Sequence, residues 1–264
     1  IRCGRATEAL IWALVGGEKD WTVRVEIVKI LKLGSLSGEN VSEALSQALL
    51  EDRKSMVRVT AAVALGARYR FGAIGAERAI EALSRALVGE DKDEVVAVRE
   101  EAALSLGVIG GEIATEALIR AVVTAVVGDE RDDESRVLVK VLKALGRIRT
   151  KAAFETLIEF AGGCCEMRHL GDFRKEIYDF LVVLREAFRA YRAYGDTVVK
   201  ALSRALFGAY NYTDRSRTGI AFALGAIGGD NATEALIRAL VGDEKAEHVR
   251  NEVAIALGDI GGES

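Results

Sequence analysis

Apolar residues recur along this chain in two alternating patterns. The first is a stripe at i, i+3, i+4 and i+7, the mark of a helix buried on one side. In the last copy Ala232, Ala235, Leu236, Ala239 and Leu240 fall on it, and the stretch returns almost unchanged: ATEALIWA at Ala6–Ala13, ATEALIRA at Ala114–Ala121 and again at Ala232–Ala239. The second is a core of the form Val-Arg-x-x-apolar-apolar-x-small-Leu-Gly-x-Ile-Gly. It reads VREEAALSLGVIGG at Val98–Gly111, VRVTAAVALGA at Val57–Ala67 and SRTGIAFALGAIGG at Ser216–Gly229. Each stripe followed by a core predicts two short amphipathic helices with a turn between them.

Aligning the Ala-Leu pair of the first helix gives Leu10, Leu45, Leu83, Leu118, Leu157, Leu202 and Leu236, with steps of 35, 38, 35, 39, 45 and 34 residues. A period of this length signals a stacked array. Seven modules follow, at approximately 5–37, 39–75, 76–111, 112–149, 150–195, 196–229 and 230–264, predicting an all-α solenoid of about seven helical hairpins in a single repeat domain over 1–264. Asn40 with Glu43, and Asn231 with Glu234, have capping-box spacing. Gly89, Gly128 and Gly242 are expected to end first helices in the left-handed conformation. The turns after them, such as GEDKDE and GDEKAE, read as acidic and solvated.

Composition sharpens this picture. Half of the residues are hydrophobic, aromatics are only 6%, and proline is absent, so glycine alone punctuates the helices. The net charge of −4 with both signs interspersed argues against phosphate neutralisation, and hence against nucleic acid as partner. No apolar run approaches a membrane span, and no membrane partner is expected. Cys3, Cys164 and Cys165 do not make a disulfide framework, which points to a reducing, cytoplasmic setting. IRCG at the start reads as the tail of an earlier module, and GGES stops where another first helix is due. The parent protein is expected to continue, or the ends to associate end to end with other copies.

The shared core resembles the HEAT-like repeats of the phycobilin-lyase (PBS lyase) type, an armadillo-like α-solenoid family, and the resemblance covers nearly the whole chain. Three features depart from it: the proline frequent in such first helices is missing, Leu138 stands where the family has arginine, and the fifth module lacks the core. The resemblance implies a non-catalytic scaffold for a protein or peptide partner. It also implies, as alternatives, a phycobilin lyase or lyase subunit handling a bilin chromophore, or the ligand-sensing array of a NACHT-type ATPase.

Candidate chemistry is sparse. Cys164, Cys165, Glu166, His169 and Asp172 form the one cluster of metal-ligand types, with no second pair at zinc spacing. GDERDDES lacks the ligand pattern and central glycine of a calcium loop. The GVIGG and GAIGG segments lack the Walker lysine and read as helix exits. Deoxyhypusine hydroxylase, built of similar repeats, uses His-Glu dipeptides for iron, and neither His169 nor His248 precedes Glu. No catalytic residue, metal or cofactor is therefore assigned. Arg24, Arg58, Arg99, Arg217 and Arg250 recur at one position, either as a cationic ladder for a partner or as ties between modules.

The resemblance places second helices on the concave surface. There the variable positions of the core are the candidate contacts: Lys29, Val59, Thr60, Val63, Glu100, Glu101, Leu104, Val108, Lys143, Thr218, Phe222, Asn251, Glu252 and Ile255. Val63, Leu104, Phe222 and Ile255 are expected to form an exposed apolar row. Two insertions break the period. Ala67–Gly75 carries Arg68, Tyr69, Arg70 and Phe71, and Ala161–Phe173 precedes a long helix at Arg174–Gly195. Such insertions often contact ligands.

Overall fold

The computed structural model describes residues 2–32, 39–69, 76–89, 92–127, 132–169, 175–191, 196–207, 213–242 and 246–262. Among them are fourteen α-helices and no strand: α1 (Arg2–Trp12), α2 (Trp21–Lys32), α3 (Glu39–Glu51), α4 (Ser55–Arg68), α5 (Glu77–Leu87), α6 (Val96–Ile109), α7 (Gly111–Val127), α8 (Asp132–Ile148), α9 (Lys151–His169), α10 (Lys175–Ala190), α11 (Asp196–Leu206), α12 (Asp214–Ile227), α13 (Asp230–Val241) and α14 (Glu247–Gly262). A π-helical turn at Ala13–Gly17 extends α1. The helices gather into two compact units, Ile1–Thr150 and Lys151–Ser264.

In the first unit the even-numbered helices form one layer and the odd-numbered helices the other. α4 packs between α2 and α6, and α6 between α4 and α8; α3 lies between α1 and α5, and α5 against α7. The glycine of each core is what lets second helices approach. A Cβ at Gly66 would stand 2.6 Å from the Ser105 hydroxyl, and one at Gly107 would stand 2.6 Å from Ala144 Cβ. So the glycine of one module fits against the small residue of the next, and the Ser105 hydroxyl donates to the Ala62 carbonyl at 2.9 Å. Beneath this seam Leu65, Leu106 and Leu145 are fully buried, each stabilising the fold by about 2 kcal/mol.

The second unit keeps half of that scheme. α12 packs on α14 with Gly225 against Ala256, and α11 and α13 form the other layer. On its other side, however, the neighbour of α12 is α9, the first helix of the fifth module. Their backbones nearly touch: a Cβ at Gly219 would stand 2.1 Å from the Ile158 carbonyl oxygen, and one at Gly162 2.2 Å from that of Arg215. The second helix of the module, α10, packs on both α9 and α12.

Several local expectations need correcting. Asn231 lies within the first turn of α13, whose N-cap is Gly229, and Asn40 is the second residue of α3; neither occupies a cap. Gly89 has φ +110°, but Gly242 has φ −82° and is not left-handed, while Gly128 lies outside the described residues. The other positive φ values occur where second helices end, at Gly110 and Gly111 (+72° and +85°), at Arg149 (+61°) and at Gly228 and Gly229 (+68° and +90°). Only glycine accepts this geometry cheaply, and it lets the next first helix start at once. Residues 161–169 of the second insertion continue α9, which runs unbroken to His169.

Candidate interaction face of the second helices

The recurring arginines serve the stack. Arg24 grips Asp52 through Nε at 2.7 Å and Nη2 at 2.9 Å, while its Nη1 donates to the carbonyls of Glu18 and Lys19 in its own turn. Arg58 repeats this on Asp93, at 2.5 and 2.9 Å, and donates to the Asp52 carbonyl. Arg99 donates to the Asp93 carbonyl at 2.8 Å and to Glu134 at 3.3 Å. The turns at Asp52 and Asp93 are thus held twice, the carboxylate by the preceding module and the carbonyl by the arginine of their own module. Asp52 and Asp93 also accept from the amides of Lys54 and Val95, ordering the helix starts. The acidic turns are therefore not simply solvated: the side chains of Arg58 and Asp93 are only 10% and 8% exposed. Burial pushes the Asp52 carboxyl up, but hydrogen bonds from Arg24 and the Lys54 amide, with the charges of Arg24 and Arg58, hold it below its ordinary range.

The ladder stops where the arginine stops. Leu138, at the arginine position of α8, is buried, and α8 is the last helix of its unit. In the second unit Arg217 pairs within its own helix with Asp214, and Arg250 is exposed.

With the arginines turned inward, the variable core positions are what the second helices of the first unit offer to solvent. Val59, Thr60, Val63, Glu100, Glu101, Leu104, Val108 and Lys143 are half-buried, and Lys29 is exposed beside Glu26. Among the described residues the helices packed on α6 are α4, α8, α5 and α7, and the strip keeps partial exposure beside them. Apolar side chains run along α4 and α6, and bases rim them on α8, where Arg136 reaches Glu100 at 3.2 Å. Burial raises the Glu101 carboxyl; the charges of Lys140 and Lys32 oppose this, and that of Glu100 adds to it.

The corresponding strip of the second unit is covered. Thr218 and Phe222 are 0% and 3% exposed, so the expected exposed row is interrupted at Phe222. The Phe188 ring of α10 stands edge-on to Phe222 at 6.1 Å and to Phe154 at 5.6 Å. The Arg185 guanidinium lies 5.7 Å from the Phe222 ring centre and bonds to Asp259. On α14, Asn251 is exposed, Ile255 is 36% exposed and Glu252 is buried.

The insertion residues are tied down. Arg68 still belongs to α4 and donates to the Leu31 carbonyl at 2.6 Å, and the Tyr69 hydroxyl bonds to that of Ser42. Arg70 and Phe71 lie outside the described residues. Cys164 and Cys165 are buried inside α9; the side chains of Cys3, Glu166 and His169, and residue Asp172, lie outside the described set. Among the described residues no three metal-ligand side chains gather, and no helix is long and apolar enough to cross a membrane.

One side chain, Trp12, escapes the repeat pattern. A groove of about 550 Å³ between α1 and α3 is lined by Glu8, Ile11, Trp12, Val15, Asn40 and Gln47, among others. Trp12 is 72% exposed. It stands where the otherwise matching copies carry Arg120 and Arg238, and that single exchange was the available signal.

The comparisons follow the regular modules. The family model for HEAT repeats matches residues 7–97 and 42–132, and that for the PBS lyase HEAT-like repeat matches residues 216–242. No curated protein sequence matches the chain. A solved structure of human deoxyhypusine hydroxylase in complex with glycerol is similar at 19% identity, covering 98% of this chain and 97% of that one, with a TM-score of 0.45. With glycine-to-small-residue seams, arginine ties and matched repeat models in agreement, the chain belongs to the HEAT-like repeat proteins.

Proposed function

We propose that the chain is a non-catalytic scaffold that holds a protein partner on the open second-helix strip of its first unit. The observation that carries this reading is the contrast in cover. Phe222 is buried under α10, whereas Val63 and Leu104, at the same position of the repeat, stay partly accessible, with no helix packed over them among the described residues. Half-exposed aliphatic side chains ringed by charge are the anatomy of an interface core with a polar rim. The arginine ladder supports the reading indirectly, since it keeps the layer rigid without spending the accessible positions.

The test compares the wild-type chain with Val63→Glu, Leu104→Glu and the double variant, each checked for helicity and cooperative melting. Proteins bound by the wild type should be lost from the folded double variant. Equal recovery by both rejects this face. Phe222→Glu does not belong in the comparison, because that side chain is core. The match of residues 216–242 is also compatible with a lyase acting on a phycobiliprotein. Incubation with a bilin and the apo-protein, scored for covalent pigment, separates that reading from the scaffold.

A further inference from the structure

We infer that the open face of α4, α6 and α8 takes an acidic amphipathic helix, seated as α10 is seated on α12. This deepens the proposed scaffold function and rests on it. The repeat supplies the correspondence residue by residue. Phe222 of α12 corresponds to Leu104 of α6, and Asp259 of α14 corresponds to Arg147 of α8, the next second helix in each case.

α10 shows what such a face accepts. Among its described side chains Phe180, Leu181, Val183, Leu184, Ala187 and Phe188 are buried in one helical stripe, while Val182, Glu186 and Arg189 stay exposed. Phe188 sits between Phe154 and Phe222, and Arg185 spans the Phe222 ring to reach Asp259 on the following helix. The helix therefore supplies an apolar anchor for the middle position of the core and a charge for the position after its glycine. This is helix-in-groove recognition within one chain.

Transferred to the first unit, the apolar requirement is unchanged and the charge is inverted at the Asp259 position; Glu100 and Glu101 stand where α12 has Thr218 and Gly219, and Glu100 is paired with Arg136. Val63, Leu104 and Val108 offer the apolar centre. Arg147, exposed, replaces Asp259, and Lys143 and Lys140 lie one and two turns before it on α8. A segment carrying arginine where α10 carries Arg185 would be repelled; one carrying glutamate would be held. Trp12 and the α1–α3 groove do not enter this inference, as nothing shows what would lie there.

The probe is a fluorescein-labelled peptide of residues 175–191, prepared with its own sequence and with Arg185→Glu. Each is titrated by anisotropy against the full chain. The Arg185→Glu peptide should bind saturably and at least about ten-fold more tightly than the unaltered one. Arg147→Glu in the full chain should reverse that order, and Leu104→Glu should weaken both. Absence of saturable binding by either peptide overturns the inference, as does an order indifferent to Arg147→Glu. Binding that responds to Asp259→Arg instead shows displacement of α10, and also counts against it. Should Leu104→Glu fail to fold, the reversal at the exposed Arg147 decides alone. Capture of a partner lost with Val63→Glu, without peptide binding, rejects the helical occupant and leaves the scaffold standing.

Discussion

The first unit (1–150) and the second (151–264) use the same two-helix module but solve the same problem differently. In the first, each second helix is tied to the next by an arginine that reaches across to an acidic turn, and the outer strip of the layer stays open. In the second, α9 fills the second-helix place beside α12 through glycine contacts, and α10, freed from that place, lies over the strip. The fifth module is not merely a decayed copy. Its second helix lacks the Val-Arg…Leu-Gly core that makes the glycine seam elsewhere, and the glycines of α9 let the first helix stack on α12 instead.

The contrast breaks most sharply at Gly219. Here a side chain meets the Ile158 carbonyl, while Thr60 and Glu101 occupy the same repeat position in the first unit without obstruction. Gly219→Val should destabilise the second unit by about 3 kcal/mol or more, the upper range for overpacking. Thr60→Val should move the first unit by no more than about 0.5 kcal/mol. Hydrogen exchange resolved by peptide reads the two units separately. Equal protection in α9 and α12 before and after Gly219→Val would show that the backbones do not meet there.

That glycine pair also marks where sequence reasoning reaches its end. Periodicity and the repeated core are legible because they encode contacts between adjacent modules, and such contacts recur with the repeat. Leu65, Leu106 and Leu145 are predictable from one another. The Gly162–Gly163 pair is different: glycine costs about 1 kcal/mol inside a helix, so the pair reads as a loop until α12 is seen against it. Phe222 likewise satisfies the repeat register of an accessible residue, and only the chain-distant Phe188 reveals it as core. The candidate strip is legible in the first unit, where no exception intervenes, and misleading in the second.

A rung of the ladder gives the next effect. Arg58 and Asp93 are nearly enclosed, so Arg58→Ala leaves a buried carboxylate and an unserved Asp52 carbonyl. The expected loss is about 2–3 kcal/mol in the first unit, at or below the lower end of the range for broken buried pairs because both side chains keep some solvent. Denaturant unfolding should show a shifted midpoint, with exchange rising first in α4 and α6. A change confined to the second unit would refute the ladder as a local tie.

The smallest effect separates the two carboxylates of the first unit by the sign of their pH dependence. Asp52 is held low, so its contribution is present above its unfolded value of about 3.9 and is lost as pH falls through the lower folded value. Glu101 is raised, so its contribution is intact below its unfolded value of about 4.3 and is lost as pH rises through the higher folded value. Glu101→Gln should therefore raise the melting temperature slightly at neutral pH and leave it unchanged at pH values below the unfolded one, whereas Asp52→Asn should lower it at neutral pH. Melting curves of the three proteins across this range test both signs at once. A Glu101→Gln variant less stable at neutral pH would mean that Lys140 and Lys32 outweigh burial, and that the strip is a settled ion-pair surface, not one left partly desolvated for a partner to cover.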